Sequence, residues 1–239
     1  MQPVTGMYEL FYWGEIQGRG EFVRLVLEDA GATYRDVGRE GGDIEAALRG
    51  ELAPFAFAVP VLRDGELIIP QTVAITRYLG EKHGLAPADE CGRLLAHAIA
   101  LTVADLVTEV HDTHHPISVV DTYEKQRDAA AQRAKVFRDK RLPKFMRYFE
   151  GLLGHDTRGD GRFVAGAFSY ADLAAFQVVE GLRYAFPNAM DRLRPAIPKL
   201  NALRDRIADR PRIAAYLGSK RRLPFNQMGI FRHYPALDP

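Results

Sequence analysis

The chain has 239 residues, 47% of them hydrophobic, with 32 Lys and Arg set against 31 Asp and Glu. That is enough apolar material for one large core or two smaller ones, and the even charge balance excludes a basic face as the basis for binding nucleic acid or an anionic membrane. One cysteine, Cys91, excludes an intrachain disulfide and a cysteine-held metal and suits a cytoplasmic setting.

The opening MQPVTGMYEL has neither a basic leader region nor a sustained apolar one, and no stretch reads as the roughly 18 apolar residues of a spanning helix, so no membrane partner is expected. Met7 to Tyr12 is short, apolar and aromatic, as a buried strand is, and Glu21 to Ala30 places Phe22, Leu25, Val26 and Ala30 at helical spacing before Gly31. Thr33 to Val37 reads as a second strand and Asp43 to Arg49 as a short helix. Val59 to Leu62 and Glu66 to Ile69 flank Arg63-Asp64-Gly65, a hairpin signal, and Thr72 to His83 reads as a helix closed by Gly84. The order is βαβ then ββα.

Leu85 to Glu90 is polar, contains Pro87 and reads as a linker between domains 1–84 and 91–239. Beyond it the pattern is helical. Cys91 to about His115 is long and amphipathic until Pro116. Asp121 with Glu124 reads as a capping box opening a helix toward Leu153, and Ser169 with Asp172 repeats the signature. Helices follow from Pro198 to Arg210 and from Pro211. In the tail, Phe225, Met228, Phe231 and Tyr234 are available to fold back onto the body, and Lys220-Arg221-Arg222 reads as a solvated basic run.

Three motifs carry chemistry. The first is Leu10-Phe11-Tyr12-Trp13 followed by Gly18-Arg19-Gly20-Glu21, the second Val59-Pro60, and the third Gln71-Thr72-Val73-Ala74-Ile75. In this order and spacing they resemble the cytosolic glutathione transferase family in its tyrosine-type form (alpha-, mu-, pi- or sigma-like), with a bacterial look, although the loop after Tyr12 is one residue longer than the commonest form. The resemblance implies an α/β N-terminal thioredoxin-like domain followed by an all-α helical-bundle domain that forms the acceptor-substrate site. It implies Tyr12 and Arg19 as catalytic residues, with glutathione as co-substrate held by Val59, a cis Pro60, Gln71 and Thr72. It also implies a homodimer in which Asp105 reaches the γ-glutamyl amine from the neighbouring subunit.

The chemistry accounts for these residue types. A thiol of pKa about 8.5 is mostly protonated at neutral pH, and lowering it by about two units takes about 2.7 kcal/mol. A hydrogen bond to a charged acceptor supplies roughly 1.5–3 kcal/mol and a helix N-terminus about 0.3–1 kcal/mol more. Phe11 has no hydroxyl, and Tyr8 lies four residues earlier on the strand.

The expected reaction adds the thiolate to an electrophilic, largely apolar second substrate, with Trp13, His111 and His115 at the acceptor site. A glutathione-dependent isomerase or lyase acting on one metabolite, and a non-enzymatic ligand-binding module, are the alternatives. The spacing of His111, His114 and His115 could face one metal, but without a second cluster, and with Pro116 next, the run reads as a polar rim or a solvated helix end. No metal is expected.

Overall fold

The computed structural model describes residues 7–49, 56–155, 160–164 and 166–239; the first six residues of the opening segment lie outside the described residues. The apolar strand β1 (Tyr8–Phe11) lies inside a four-stranded sheet of order β2-β1-β3-β4. It runs parallel to β2 (Tyr34–Asp36), with Leu10 opposite Asp36, and antiparallel to β3 (Val61–Asp64), with Phe11 opposite Val61. The edge strand β4 (Leu67–Pro70) pairs with β3 through a two-residue loop, Gly65-Glu66, so the hairpin centre lies one residue beyond the expected Asp64-Gly65. Gly65 takes that loop's positive φ of 61°.

Between β1 and β2, helix α1 (Gly20–Ala30) is buried along ten of its eleven residues and stops at Gly31, whose left-handed conformation turns its N–H back to the carbonyls of Leu27 and Glu28. The expected helix at Asp43–Arg49 shrinks to a 3₁₀ turn, Glu45–Ala47, with Asp43 accepting from the N–H groups of Glu45 and Ala46. Helix α2 (Thr72–Lys82) completes the N-terminal unit.

Residues 85–89 form a short irregular turn in which Asp89 caps the next helix by accepting from Gly92. Helix α3 (Glu90–Asp112) corrects one expectation, because an 18-residue window within it has mean hydropathy 1.4 and is long and apolar enough to cross a membrane by length and composition. Ala96, Ile99, Val103, Leu106 and Val110 are buried at helical spacing, with α3 packed on α6 (Tyr170–Ala185), as in a core helix. Leu94 and Leu101 on the other face are exposed.

The expected helix from Asp121 to Leu153 is divided. A 3₁₀ turn at Tyr123–Gln126 leads into α4 (Arg127–Val136), a π-helical turn at Phe137–Arg141, and α5 (Leu142–Gly154). Asp121 pairs with Lys125 instead of capping. The buried Gln126 organises the loop instead, accepting from Ile117 and Ser118 and donating to the Ser118 carbonyl. Helices α7 (Pro187–Leu193), α8 (Pro198–Ala208) and α9 (Pro211–Leu217) each begin on proline, where the missing N–H has no helical partner to lose. In the tail, Phe225 stacks on Tyr184, Tyr234 stacks on Tyr123, and Phe231 covers Gly181, whereas Met228 is exposed.

The capping box of α6 forms as expected. Asp172, fully buried, accepts from the Ser169 and Phe163 N–H groups and from the Ser169 hydroxyl. Burial raises its pKa to about 6 against the pull of those donors. Asp172→Ala leaves two buried N–H groups unpaired and should cost about 2–4 kcal/mol, read as a lower urea midpoint with unchanged slope.

Candidate functional site

The loop from Trp13 to Arg19 has no regular structure, so its shape is set by what holds it. Arg24, one turn into α1 and fully buried, lies beneath it and donates to the carbonyls of Trp13, Ile16 and Gln17 at 3.5, 3.3 and 3.2 Å. The same guanidinium binds Asp36 at 2.6 Å and Glu21 at 3.5 Å. Burial weighs against its charge, but the two carboxylates outweigh that and hold the Arg24 pKa above its ordinary value. Glu21, equally buried, also meets Arg222 at 3.3 Å and Arg39 at 3.8 Å and accepts from the Tyr216 hydroxyl at 2.9 Å. This cluster joins α1 to α9 and the tail.

Two further bonds tie the loop to the helical part. Gln17 donates to the Leu223 carbonyl at 2.5 Å and accepts from Gln177 at 2.8 Å. Neither the cluster nor these bonds follow from local motifs. Lys220 and Arg221 are exposed, as a solvated basic run is, with Arg221 pairing to Glu28, and only Arg222, whose side chain is 9% exposed, departs from that reading.

Held this way, the loop wraps Tyr12. The Arg19 N–H donates to the Tyr12 hydroxyl at 2.7 Å, so the longer loop still brings Arg19 to the tyrosine. Gly18 has φ of 49°, and a Cβ there would lie 2.1 Å from that hydroxyl, which explains a glycine at this position. Burial raises the Tyr12 pKa, opposed by the Arg19 N–H and by the charges of Arg19 and Arg24. Tyr12 is therefore neutral at pH 7, its oxygen engaged as an acceptor and its proton available to donate. Tyr8, by contrast, is tied to His83 at 2.9 Å.

A cleft of about 380 Å³ brings together Arg19, Gln71 and Thr72, with Phe22, His97 and Ala104 among its walls. Gln71 precedes α2 with φ of 71°, the one positive φ outside glycine among the described residues, a backbone strain of the kind that clusters at functional sites. Thr72 is the first residue of α2 and not its cap, and its buried hydroxyl has no hydrogen-bond partner among the described residues. The first turn of α2 thus presents open N–H groups and a free hydroxyl, an arrangement that receives anions. His97, also without a partner for Nδ1, is a cleft residue that no local motif announced.

The Val59-Pro60 peptide is cis, and no other described residue bonds the Val59 N–H or C=O. Tyr12, Val59, Pro60, His111 and His115 lie outside the lining of the main cleft, as does Trp13, which is 45% exposed. Asp105 lines a separate cavity on α3 with Glu109, Arg141 and Lys144.

His111, His114 and His115 come together, but not as a solvated helix end: the tail covers them, leaving His114 1% and His115 8% exposed. Burial lowers the pKa of His111 to about 4 and of His114 to about 3, and places His115 below its ordinary value. The charges of His115, Arg19 and Arg232 add to the lowering of the His111 pKa.

Comparison with known proteins follows the same outline. Residues 111–220 match the profile described as the glutathione S-transferase C-terminal domain. The chain is 30% identical over 215 residues to glutathione S-transferase 2 of Onchocerca volvulus, covering 87% of this chain and 91% of that protein. It is also 30% identical over 216 residues to hematopoietic prostaglandin D synthase of Gallus gallus, covering 88% and 94%. The solved Pi-class glutathione S-transferase of Onchocerca volvulus superimposes with TM-score 0.69 at 26% identity over 89% of this chain and 92% of that one.

Removing one member of the buried cluster tests its role. Glu21→Ala leaves Arg222 without its buried carboxylate and Arg24 with Asp36 alone, and should cost about 3–5 kcal/mol in urea unfolding; a cost below about 1 kcal/mol would show that the cluster does not hold the loop.

Proposed function

The chain belongs to the glutathione S-transferase family, and from that premise we propose that it is a tyrosine-type enzyme that holds glutathione as a thiolate and adds it to an electrophilic, largely apolar second substrate. The observation that carries this reading is the cleft shared by Arg19, Gln71 and Thr72, with the Arg19 N–H fixing a Tyr12 hydroxyl whose proton is uncommitted.

Glutathione lies extended in this reading. Its γ-glutamyl carboxylate takes the first-turn N–H groups of α2 and the Thr72 hydroxyl, and Gln71 orients the same end. The cysteinyl backbone pairs with the N–H and C=O of Val59, next to Pro60, as an added strand does. Tyr12 donates to the sulfur, and Arg19 adds positive potential. The thiolate then forms the carbon–sulfur bond while the acceptor loses its leaving group or gains a proton. Domain 1–84 supplies this half of the site, and domain 91–239 supplies the acceptor half, with Trp13, His111 and His115 at its edge. The working unit is a cytoplasmic homodimer in which Asp105 of one subunit reaches the γ-glutamyl amine bound to the other.

A second reading, a glutathione-dependent isomerase or lyase acting on one metabolite, draws support from the 30% identical relative named hematopoietic prostaglandin D synthase, a name that gives one product rather than a range of electrophiles. A panel of electrophiles run beside isomerisable substrates separates the two.

The ultraviolet absorbance of the bound thiolate tests the mechanism. Glutathione on the native protein should titrate at about 6–7, and Tyr12→Phe should raise that pKa by about one unit or more, the loss of one charge-assisted hydrogen bond. Thr72→Val should raise the KM for glutathione about tenfold with little change in kcat. Binding with an unshifted thiol would refute activation by Tyr12, and no binding would refute the whole reading.

A further inference from the structure

The end of helix α3 holds three imidazoles that thiol activation does not use. His111, His114 and His115 each offer a ring nitrogen, and these atoms all lie within 4.8 Å of one another. The rings close into a triad: His111 stacks on His115 with centroids 5.0 Å apart, and His114 stands edge-on to both at 5.0 and 4.7 Å.

The orientation of His114 is set from behind. Its Nε2 lies 2.8 Å from the Ile230 carbonyl, which can only accept, so Nε2 carries the hydrogen and Nδ1 keeps its lone pair. That lone pair points at Nδ1 of His115, in direct contact. A backbone carbonyl that fixes the far nitrogen while the near one faces other donors is the outer-shell arrangement of metal-bound histidines. Around zinc, with bonds of about 2.0–2.1 Å, neighbouring donors sit roughly 3.4 Å apart, so binding requires the His114–His115 pair, now in direct contact, to open by about 1 Å and the wider separations, which reach up to 4.8 Å, to close by up to about 1.4 Å.

The simpler arrangement, a hydrogen bond from His115 to His114, occupies two rings and leaves His111 unexplained. The donors are three neutral imidazoles, which select late first-row metals over hard, oxygen-seeking cations, and the charge of Arg232, which bears on all three rings, weakens the binding of any cation.

We propose that His111, His114 and His115 bind one late first-row transition-metal ion, of the zinc class, per chain. The site holds or fails independently of the glutathione reading. Tag-free full-length protein, stripped with a chelator and free of glutathione, is titrated with Zn²⁺ by calorimetry and with Co²⁺ by visible absorption. One ion should bind per chain, and His111→Ala and His115→Ala should each weaken binding more than the 10–100-fold typical of losing an outer-shell partner. His97→Ala, which removes a histidine outside the triad, should bind as the native chain does. Circular dichroism confirms that each variant is folded. Binding below half an ion per chain, native affinity in folded His115→Ala, or loss of binding in His97→Ala would overturn the proposal and leave the triad as a hydrogen-bonded histidine pair with a stacked neighbour.

Discussion

The site rests on a buried guanidinium. Arg24 has no contact with solvent, yet it meets two carboxylates and three carbonyls of the loop that presents Tyr12. A charge removed from water at this depth is tolerated only where its donors are met, and the loop carbonyls of Trp13 and Ile16, which accept from no strand or helix N–H among the described residues, need those same donors; the Gln17 carbonyl shares them with the Glu21 N–H. Each demand satisfies the other. Glu21 extends the logic outward by drawing in Arg222 and Tyr216, so the geometry of the N-terminal loop is set partly by residues from the far end of the chain.

Around that node the molecule keeps some backbone groups open. Gln71 is held at positive φ, Thr72 starts a helix with an unused hydroxyl, and the Val59 backbone pairs with no other described residue. Elsewhere comparable groups are satisfied at once: Asp89 caps α3, Ser169 and Asp172 cap α6, and Asp238 meets the first N–H groups of α7. Helices α1 and α9 also start without a side-chain cap, so what marks the start of α2 is the positive φ of Gln71 together with the unpartnered Thr72 hydroxyl.

How much of this was legible in the sequence depended on range. Strand and helix periods, the glycine stop at Gly31, the Ser169–Asp172 box and the Gln71-Thr72 helix start are encoded within a few residues, where pattern and structure must agree. The Asp121–Glu124 signature looked alike but gave way to Gln126, because a buried amide that satisfies three loop groups outcompetes an exposed carboxylate. The π-helical turn has no local signal. Nor do the distant partners of Glu21, Tyr216 and Arg222, which lie about two hundred positions away, or the burial of His114, which depends on a carbonyl of the tail. Fold class and the resemblance to a tyrosine-type glutathione site came from short motifs, and the supports of that site came from long contacts.

Those long contacts bear on how the molecule assembles during synthesis. Gln17 bonds Leu223 and Asn226 bonds Glu15, separations of 206 and 211 residues. Closing such loops is slow to be rewarded, and the ribosome delivers the tail last. The sheet and α1 therefore emerge with Glu21 still lacking Tyr216 and Arg222, and the tyrosine loop reaches its final shape only after nearly the whole chain has been made. A nascent N-terminal half can have its secondary structure in place and still lack a finished site.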